Sequence, residues 1–515
     1  MEALRMENIT KIYSNGFIAN KDITFSVEQG EIHALVGENG AGKTTLMKIL
    51  FGMEPCQEGS IYVNGKKEKI SSPLDAIAKG VGMVHQHFML LNSLTVAENV
   101  TLGMEPKKKG LIDVDKAVQM TQEMSDKYKF GLDAKATVGD LSVGLMQKVE
   151  ILKALIRGAK VLILDEPTAV LTPQETSELF EQLRLLRDGG HSIIFISHKL
   201  EEVMALCDNV TILRHGRCNG SYPISELNEA KLSRLMVGRD VVLKIEKDPP
   251  KLGKPVLEVS NLKKVSDEGR TVLDGVSFTI REGEVLGIAG VEGNGQGVLS
   301  DCISGMESYD EGTVRLNGKE IKGRKIKDIR DAGMSVIPED RIAVGCVNEM
   351  SIESNIMADR FTKPENMTGK IFMNAGKADK ITEDLIKEFE ISCDDRSEAI
   401  RLLSGGNIQK VIVAREFTSG ANFVLANQPT RGVDVGTAEM IRKYLVKQVR
   451  GGAIGSLLIS ADLNEVLEVS DRLLVMRLGK IVAAFPQANQ VSEDELGEYM
   501  LGIKSMTAEE MAGVL

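Results

Sequence analysis

The segment Gly37-Glu38-Asn39-Gly40-Ala41-Gly42-Lys43-Thr44 has the spacing G-x-x-x-x-G-K-[ST], a pattern suited to holding a chain of phosphates. Glycines let successive backbone N–H groups curl around phosphate oxygens, and a helix that follows adds partial positive charge at its N-terminus. Lys43 would neutralise the terminal phosphates, and the Thr44 hydroxyl would ligate a magnesium ion. Farther along, Val161-Leu162-Ile163-Leu164 ends in Asp165-Glu166, which places two carboxylates at the C-terminal end of a buried strand, where ligands of α/β proteins sit. Asp165 suits magnesium, directly or through water. Glu166 suits the orientation or deprotonation of an attacking water, a contribution of about 10² to 10⁴ in rate. A glycine-rich turn or a solvated strand end would each explain one of these segments; their occurrence together, in this order, points to triphosphate cleavage.

The surrounding pattern supplies the elements that must hold these groups. Ile32 to Val36 reads as a strand entering the glycine loop and Leu46 to Leu50 as the helix leaving it. Val161 to Leu164 and Ile193 to Ile196 are short apolar runs between helical stretches, as expected for buried parallel strands. Thr172-Pro173-Gln174-Glu175 predicts a helix start with a capping box and proline in the first turn, and Gly189-Gly190 its stop. The chain also repeats itself. Gly30-Glu31 recurs as Gly283-Glu284 and Gly37 as Gly290, a displacement of 253 (290 minus 37). Leu141-Ser142 recurs as Leu403-Ser404, displaced by 262 (403 minus 141), so an insertion of about nine residues separates those landmarks in the second copy. A period this long marks a duplicated domain, since solenoid units recur every ~20–50 residues. The expected division is a first domain over 1–240, a linker over 241–254, a second domain over 255–503 and a tail over 504–515. The connector Lys247-Asp248-Pro249-Pro250-Lys251 is short, polar and proline-containing.

Composition narrows the class. At 515 residues the chain exceeds a single ordinary core. No stretch approaches the roughly 18 uninterrupted apolar residues of a membrane span, and the first residues lack the basic-then-apolar order of a signal peptide, so a cytoplasmic location is expected. The six cysteines include no C-x-x-C pair, which indicates neither a zinc site nor a disulfide framework. A net charge of -11 argues against a nucleic-acid backbone as the main partner. His85 and His87 flank Gln86, but no further ligand cluster supports a metal there.

Leu141-Ser142-Val143-Gly144-Leu145-Met146-Gln147 and Leu403-Ser404-Gly405-Gly406-Asn407-Ile408-Gln409 resemble the signature motif of ABC ATPases, and both halves resemble ABC nucleotide-binding domains over nearly their full length. The resemblance implies an α/β fold of two tandem P-loop domains, each with a mostly parallel core sheet, an antiparallel β subdomain and a helical subdomain. It makes Tyr13 the aromatic that stacks on adenine, places Thr45 with the phosphate loop, makes Gln86 a loop residue near magnesium, and makes His198 the contact to the γ-phosphate. The implied cofactors are ATP and Mg2+, with Lys43, Glu166 and His198 as the catalytic set and Thr44, Gln86 and Asp165 around the metal.

By the same displacements the second half carries Ser266 for Tyr13, Gln296 for Lys43, Gly297 for Thr44, Glu339 for Gln86, Asn427 for Asp165 and Gln428 for Glu166, and with one further residue of displacement, 263 (461 minus 198), Ala461 for His198. The charge, the hydroxyl and the general base are all missing, so hydrolysis there should be negligible. The signature shows the opposite bias: the second half keeps Ser404-Gly405-Gly406, while Val143 replaces a glycine in the first. Asp434 likewise stands where the first half has Thr172. In the family two cassettes close head to tail, each ATP between one phosphate loop and the other domain's signature. That pairing joins the intact loop to Ser404, Gly405, Gly406 and Asn407, giving one working site per chain.

The tandem arrangement is similar to the ATP-binding subunits of ribose, galactose and nucleoside importers. It implies two integral-membrane permease subunits, an extracytoplasmic substrate-binding protein, and peripheral attachment at the cytoplasmic face of the membrane through the permease. The loops after Gln86 and Glu339, with Phe88, Met89, Leu90 and Leu91, resemble the groove that receives permease coupling helices. The wording Val84 to Leu90 and the Leu-Ser-Val-Gly signature look closest to nucleoside importers, with a monosaccharide such as ribose or galactose as the alternative. A tandem-cassette translation factor is the reading from another class, but such proteins typically have a long charged linker and two hydrolytic sites.

Overall fold

The computed structural model describes the chain except for residues 14–15, 39, 86–87, 169–170, 198, 239–244, 246, 267, 292 and 369–371. It divides into two compact units, Met1–Val241 and Val242–Leu515.

In the first unit a six-stranded sheet runs in the order Arg217–Pro223, Asn209–Arg214, Ile32–Gly37, Ser192–Ile196, Val161–Asp165, Val81–Val84. Its neighbours are parallel except the outermost hairpin, Asn209–Arg214 with Arg217–Pro223. Ile32–Gly37 and Ser192–Ile196 are buried along their whole length, which is why they read as unbroken apolar runs rather than alternating ones. A separate antiparallel sheet, in the order Ile18–Glu28, Glu2–Ile12, Glu58–Val63, Lys66–Glu68, does alternate: in Ile18–Glu28 the apolar Ile23, Phe25 and Val27 are buried between exposed neighbours. The second unit repeats both sheets. Its central strand Val285–Ala289 lies between Gly455–Ile459 and Arg472–Arg477, with Phe423–Asn427, Met334–Ile337 and Lys480–Phe485 completing the same order.

Local signals acted where expected. Thr172 caps the helix Pro173–Asp188 with the reciprocal capping box to Glu175, and Gly189 is its C-cap. Two segments outside the expected domains pack on the second unit. Part of the connector docks on the second unit: Ile245 packs on its core, Lys247 Nζ donates to Ser470 O (2.5 Å) and Arg450 Nε to Asp248 O (2.8 Å). The last residues pack as well. Met511 is buried, Met506, Val514 and Leu515 pack beside it, and Arg472 donates to Val514 O; four apolar residues within ten positions gain more from the core than from water. No described helix is long and apolar enough to cross a membrane.

Candidate ATP site and its degenerate copy

Strand Ile32–Gly37 delivers the chain into the phosphate loop, and helix Lys43–Leu50 leaves it. Two glycines are sterically required there. A Cβ on Gly37 would stand 2.2 Å from Leu213 O, and one on Gly42, at φ 98°, would stand 2.4 Å from Ala19 O. Asn20 Nδ2 fastens the turn from outside by donating to Gly42 O (3.1 Å). The buried Lys43 folds its ammonium into the loop, donating to Gly37 O (2.5 Å) and Glu38 O (3.0 Å). Gly40, at φ 82°, and Ala41 complete the turn, with Ala41 N donating to Glu38 O (3.0 Å), and Thr44 is exposed on the first turn of the helix. Asn39 lies outside the described residues. The arrangement sets one cation, Lys43, and one hydroxyl, Thr44, at the start of a helix behind a glycine turn, a placement suited to a polyphosphate.

Tyr13 is half-buried, its hydroxyl 3.3 Å from Thr45 Oγ1, with Lys11 Nζ 5.1 Å from its ring centre. Phe17 lies nearly parallel to it, centroids 6.5 Å apart at 21°; no motif pointed to this second ring. Tyr13 N donates to Phe17 O (2.9 Å) and Gly16 N to Tyr13 O (2.9 Å), which holds the pair together.

Asp165 ends strand Val161–Asp165. Burial, and then the neighbouring Glu166 charge, push its carboxyl up to about 6, against the pull of Lys43 and Lys48. Glu166 adopts left-handed backbone, φ 49°, and its N–H donates to Ile196 O (2.9 Å) on the adjacent strand. Beyond it Thr168 and Ser197 both donate to the buried Glu202, at 2.6 and 3.0 Å, tying together the ends of two strands. Gln86 and His198 lie outside the described residues. The loop that follows Gln86 is fixed by Met89 N to Glu150 Oε1 (2.5 Å), Lys153 Nζ to Met89 O (2.8 Å) and Leu91 N to Asn99 Oδ1 (2.8 Å). Met89 and Leu91 are 60% and 50% exposed, so half of the apolar run faces solvent instead of the core.

The copy in the second unit keeps the backbone and changes the chemistry. Gln296 begins the helix Gln296–Ser304 as Lys43 begins its own, and its Nε2 donates to Val291 O (3.1 Å), the counterpart of Glu38 O. Asn294 further fastens the loop, accepting from Leu478 N (2.8 Å) and Gly479 N (2.9 Å). Gln428 has φ 52° and donates to Ile459 O (2.7 Å), as Glu166 does to Ile196, while its side-chain oxygen accepts from Ala461 N (3.1 Å). Asn427 is buried. Ser266 N donates to Arg270 O (2.8 Å) as Tyr13 N does to Phe17 O, and neither Ser266 nor Arg270 carries a ring.

Both signature segments start helices. Ser142 caps Val143–Ile156, accepting from Leu145 N (3.3 Å). Ser404 caps Gly405–Phe417, accepting from Asn407 N (3.4 Å) and Asn407 Nδ2 (3.0 Å). Thr172 and Asp434 are equivalent too, each the N-cap of the next helix.

The family model described as ABC transporter matches residues 20–169 and 273–431, one stretch in each unit. The chain belongs to this family. It is an ABC transport ATPase with two fused cassettes, the ATP-binding subunit of an importer complex. It is 42% identical over 501 residues to the guanosine import ATP-binding protein NupO of Bacillus subtilis (strain 168), covering 97% of each chain. It is 40% identical to the nucleoside import ATP-binding protein NupA of Lactococcus lactis subsp. cremoris, covering 97% of this chain and 98% of that one. It is equally 42% identical to the glucose import ATP-binding protein TsgD13 of Haloferax volcanii, covering 93% and 92%. Among solved structures, the complex of archaeal ribosomal stalk protein aP1 and archaeal ribosome recycling factor aABCE1 matches with a TM-score of 0.60 at 19% identity, over 93% of this ABC chain and 90% of that chain; the likeness is one of fold.

Proposed function

We propose that this ABC subunit hydrolyses ATP at one site per chain, on the phosphate loop of its first half, and thereby drives nucleoside uptake. The observation that carries the reading is the contrast between two loops of like backbone, of which one alone has Lys43, Thr44, Asp165 and Glu166. Tyr13 holds the base, the loop Gly37–Thr44 with Thr45 holds the phosphates, and Gln86 and His198 complete the polar ring.

An all-oxygen donor set suits magnesium, and the frustrated Asp165 carboxyl, raised by burial and by Glu166, gains from a cation beside it. Thr44 and Asp165 would hold Mg2+, with Gln86 near it. When bound, the ion supplies charge neutralisation for the β- and γ-phosphates. Lys43 adds a second, fixed cation to the same oxygens. Glu166, one residue beyond the strand end at a left-handed backbone position, orients the attacking water and accepts its proton. Ser404, Gly405, Gly406 and Asn407 of the second half act on the γ-phosphate of this ATP, which assigns the intact signature to the intact loop. Replacement of Glu166 by Gln should abolish turnover in the complete transporter, and brisk remaining hydrolysis would overturn the assignment.

The partners that fit are two integral-membrane permease subunits and an extracytoplasmic binding protein, with this subunit peripheral at the cytoplasmic face. Exposed Met89 and Leu91 suit the permease contact. Nucleosides are supported by the Val84-to-Leu90 wording and by the two relatives whose names specify nucleoside or guanosine import. The glucose-import relative at the same identity favours a monosaccharide as the second reading. Uptake of radiolabelled guanosine and of glucose by cells with and without the gene separates them: loss of guanosine uptake alone supports the first, loss of glucose uptake alone the second.

A further inference from the structure

Arg341 follows Glu339-Asp340 after strand Met334–Ile337 and lies against the first turn of the signature helix Gly405–Phe417. Its Nη1 donates to the carbonyls of Arg431 (2.9 Å) and Gly432 (3.2 Å). Its Nη2 stands 2.8 Å from where a Cβ on Gly405 would be, and 3.2 Å from the same point on Gly432. The guanidinium is thus wedged between two glycines, one of them the first glycine of Ser404-Gly405-Gly406. A side chain at position 405 would have to displace it.

Two neighbours set this arrangement. Asp340 accepts from Ile342 N (2.9 Å) and Ala343 N (2.8 Å), turning the chain sharply after the arginine. The Glu339 carboxylate pairs with the Arg431 side chain and holds the other edge of the same loop. The carbonyl partners orient the guanidinium, and the adjacent Asp340 carboxylate offsets only part of its charge beside the helix start. In the first half the corresponding positions hold Phe88 and Val143. The cation and the glycine that makes room for it are absent together, which is what a steric dependence of one on the other requires.

We propose that Arg341 is a positioning residue for ATP hydrolysis: it fixes the Arg431–Gly432 loop against the signature segment and adds positive charge beside the N-terminal end of that helix. The inference rests on the reading that Ser404-Gly405-Gly406 act on ATP. Charge at this place favours the extra negative charge that builds on the γ-phosphate as its bond breaks, so it acts on kcat more than on nucleotide binding.

The test uses the complete transporter with Arg341→Gln, which keeps amide donors and loses the charge, and Arg341→Lys, which keeps the charge and loses the fork. In Arg341→Gln, kcat should fall roughly 10²-fold, with ADP affinity and melting temperature unchanged. Arg341→Lys should recover part of the loss. Wild-type kcat in Arg341→Gln overturns the inference. So does an equal loss in both variants accompanied by a lowered melting temperature, which would mark a merely structural staple. Ser404→Arg measured in parallel separates the two levels: if it retains turnover, the signature reading itself falls, whereas loss there with normal Arg341→Gln sinks only the role of Arg341.

Discussion

Glu166 and Gln428 share a left-handed backbone, φ 49° and 52°, and each donates its N–H to the adjacent strand, at 2.9 and 2.7 Å. Lys43 and Gln296 each begin a helix and each donate to the same loop carbonyl, at 3.0 and 3.1 Å. A non-glycine residue at positive φ is uncommon and costs energy unless its surroundings hold it there, yet the second half retains that turn with no carboxylate to present. The fold of a phosphate loop therefore depends on a hydrogen-bond donor at the lysine position, whereas the reaction depends on that donor's charge. Gln428 illustrates the consequence: once freed from chemistry, its amide oxygen accepts from Ala461 N and closes the strand ends on each other.

The sharpest way to break this comparison is to exchange the two catalytic positions. Glu166→Gln should lower ATP turnover by about 10³-fold or more, while Gln428→Glu restores nothing, because the second loop lacks the cation and hydroxyl as well; steady-state phosphate release checks both. Next comes the signature. Ser404→Arg should abolish turnover, and Ser142→Arg should leave most of it, since the loop served by the first signature is already inactive. Lys43→Gln should weaken ATP binding about 10-fold to 100-fold and leave the loop folded, as Gln296 does in its own half; Gln296→Lys should not create a second hydrolytic site. Calorimetric titration and melting curves measure the two effects.

The smallest effect concerns stability. The Asp165 carboxyl is raised from 3.8 to about 6, so its ionisation is disfavoured in the folded state. The cost is absent below pH 4, grows as pH rises and is complete above about 6. Asp165→Asn, which copies the buried Asn427 of the second half, should stabilise the nucleotide-free protein by about 1–3 kcal/mol at pH 7.5 and by nothing near pH 4. Equal melting temperatures at pH 7.5 would remove the electrostatic frustration from the account.

Much of this was legible in the sequence because short-range patterns encode it. The phosphate-loop spacing, the apolar strand ending in Asp165-Glu166 and the capping box at Thr172 are each fixed by residues within a few positions of one another. What escaped lies in contacts between distant residues. The bond from Ala461 N to Gln428 spans 33 positions, and that from Leu478 N to Asn294 spans 184. Phe17, a lone exposed aromatic, carries no pattern of its own; the bond from Tyr13 N to Phe17 O is what brings it near Tyr13. The packing of residues 506–515 has no legible period either, because its four apolar residues are scattered and the surface that receives them joins the nearby strands Arg472–Arg477 and Lys480–Phe485 to strands far upstream.

Vanadate trapping of nucleotide in the complete transporter counts hydrolytically competent sites directly. The account predicts one trapped nucleotide per chain, cross-linked to peptides of the first half and lost in Glu166→Gln. Two trapped nucleotides per chain, or trapping that persists in Glu166→Gln, would contradict it.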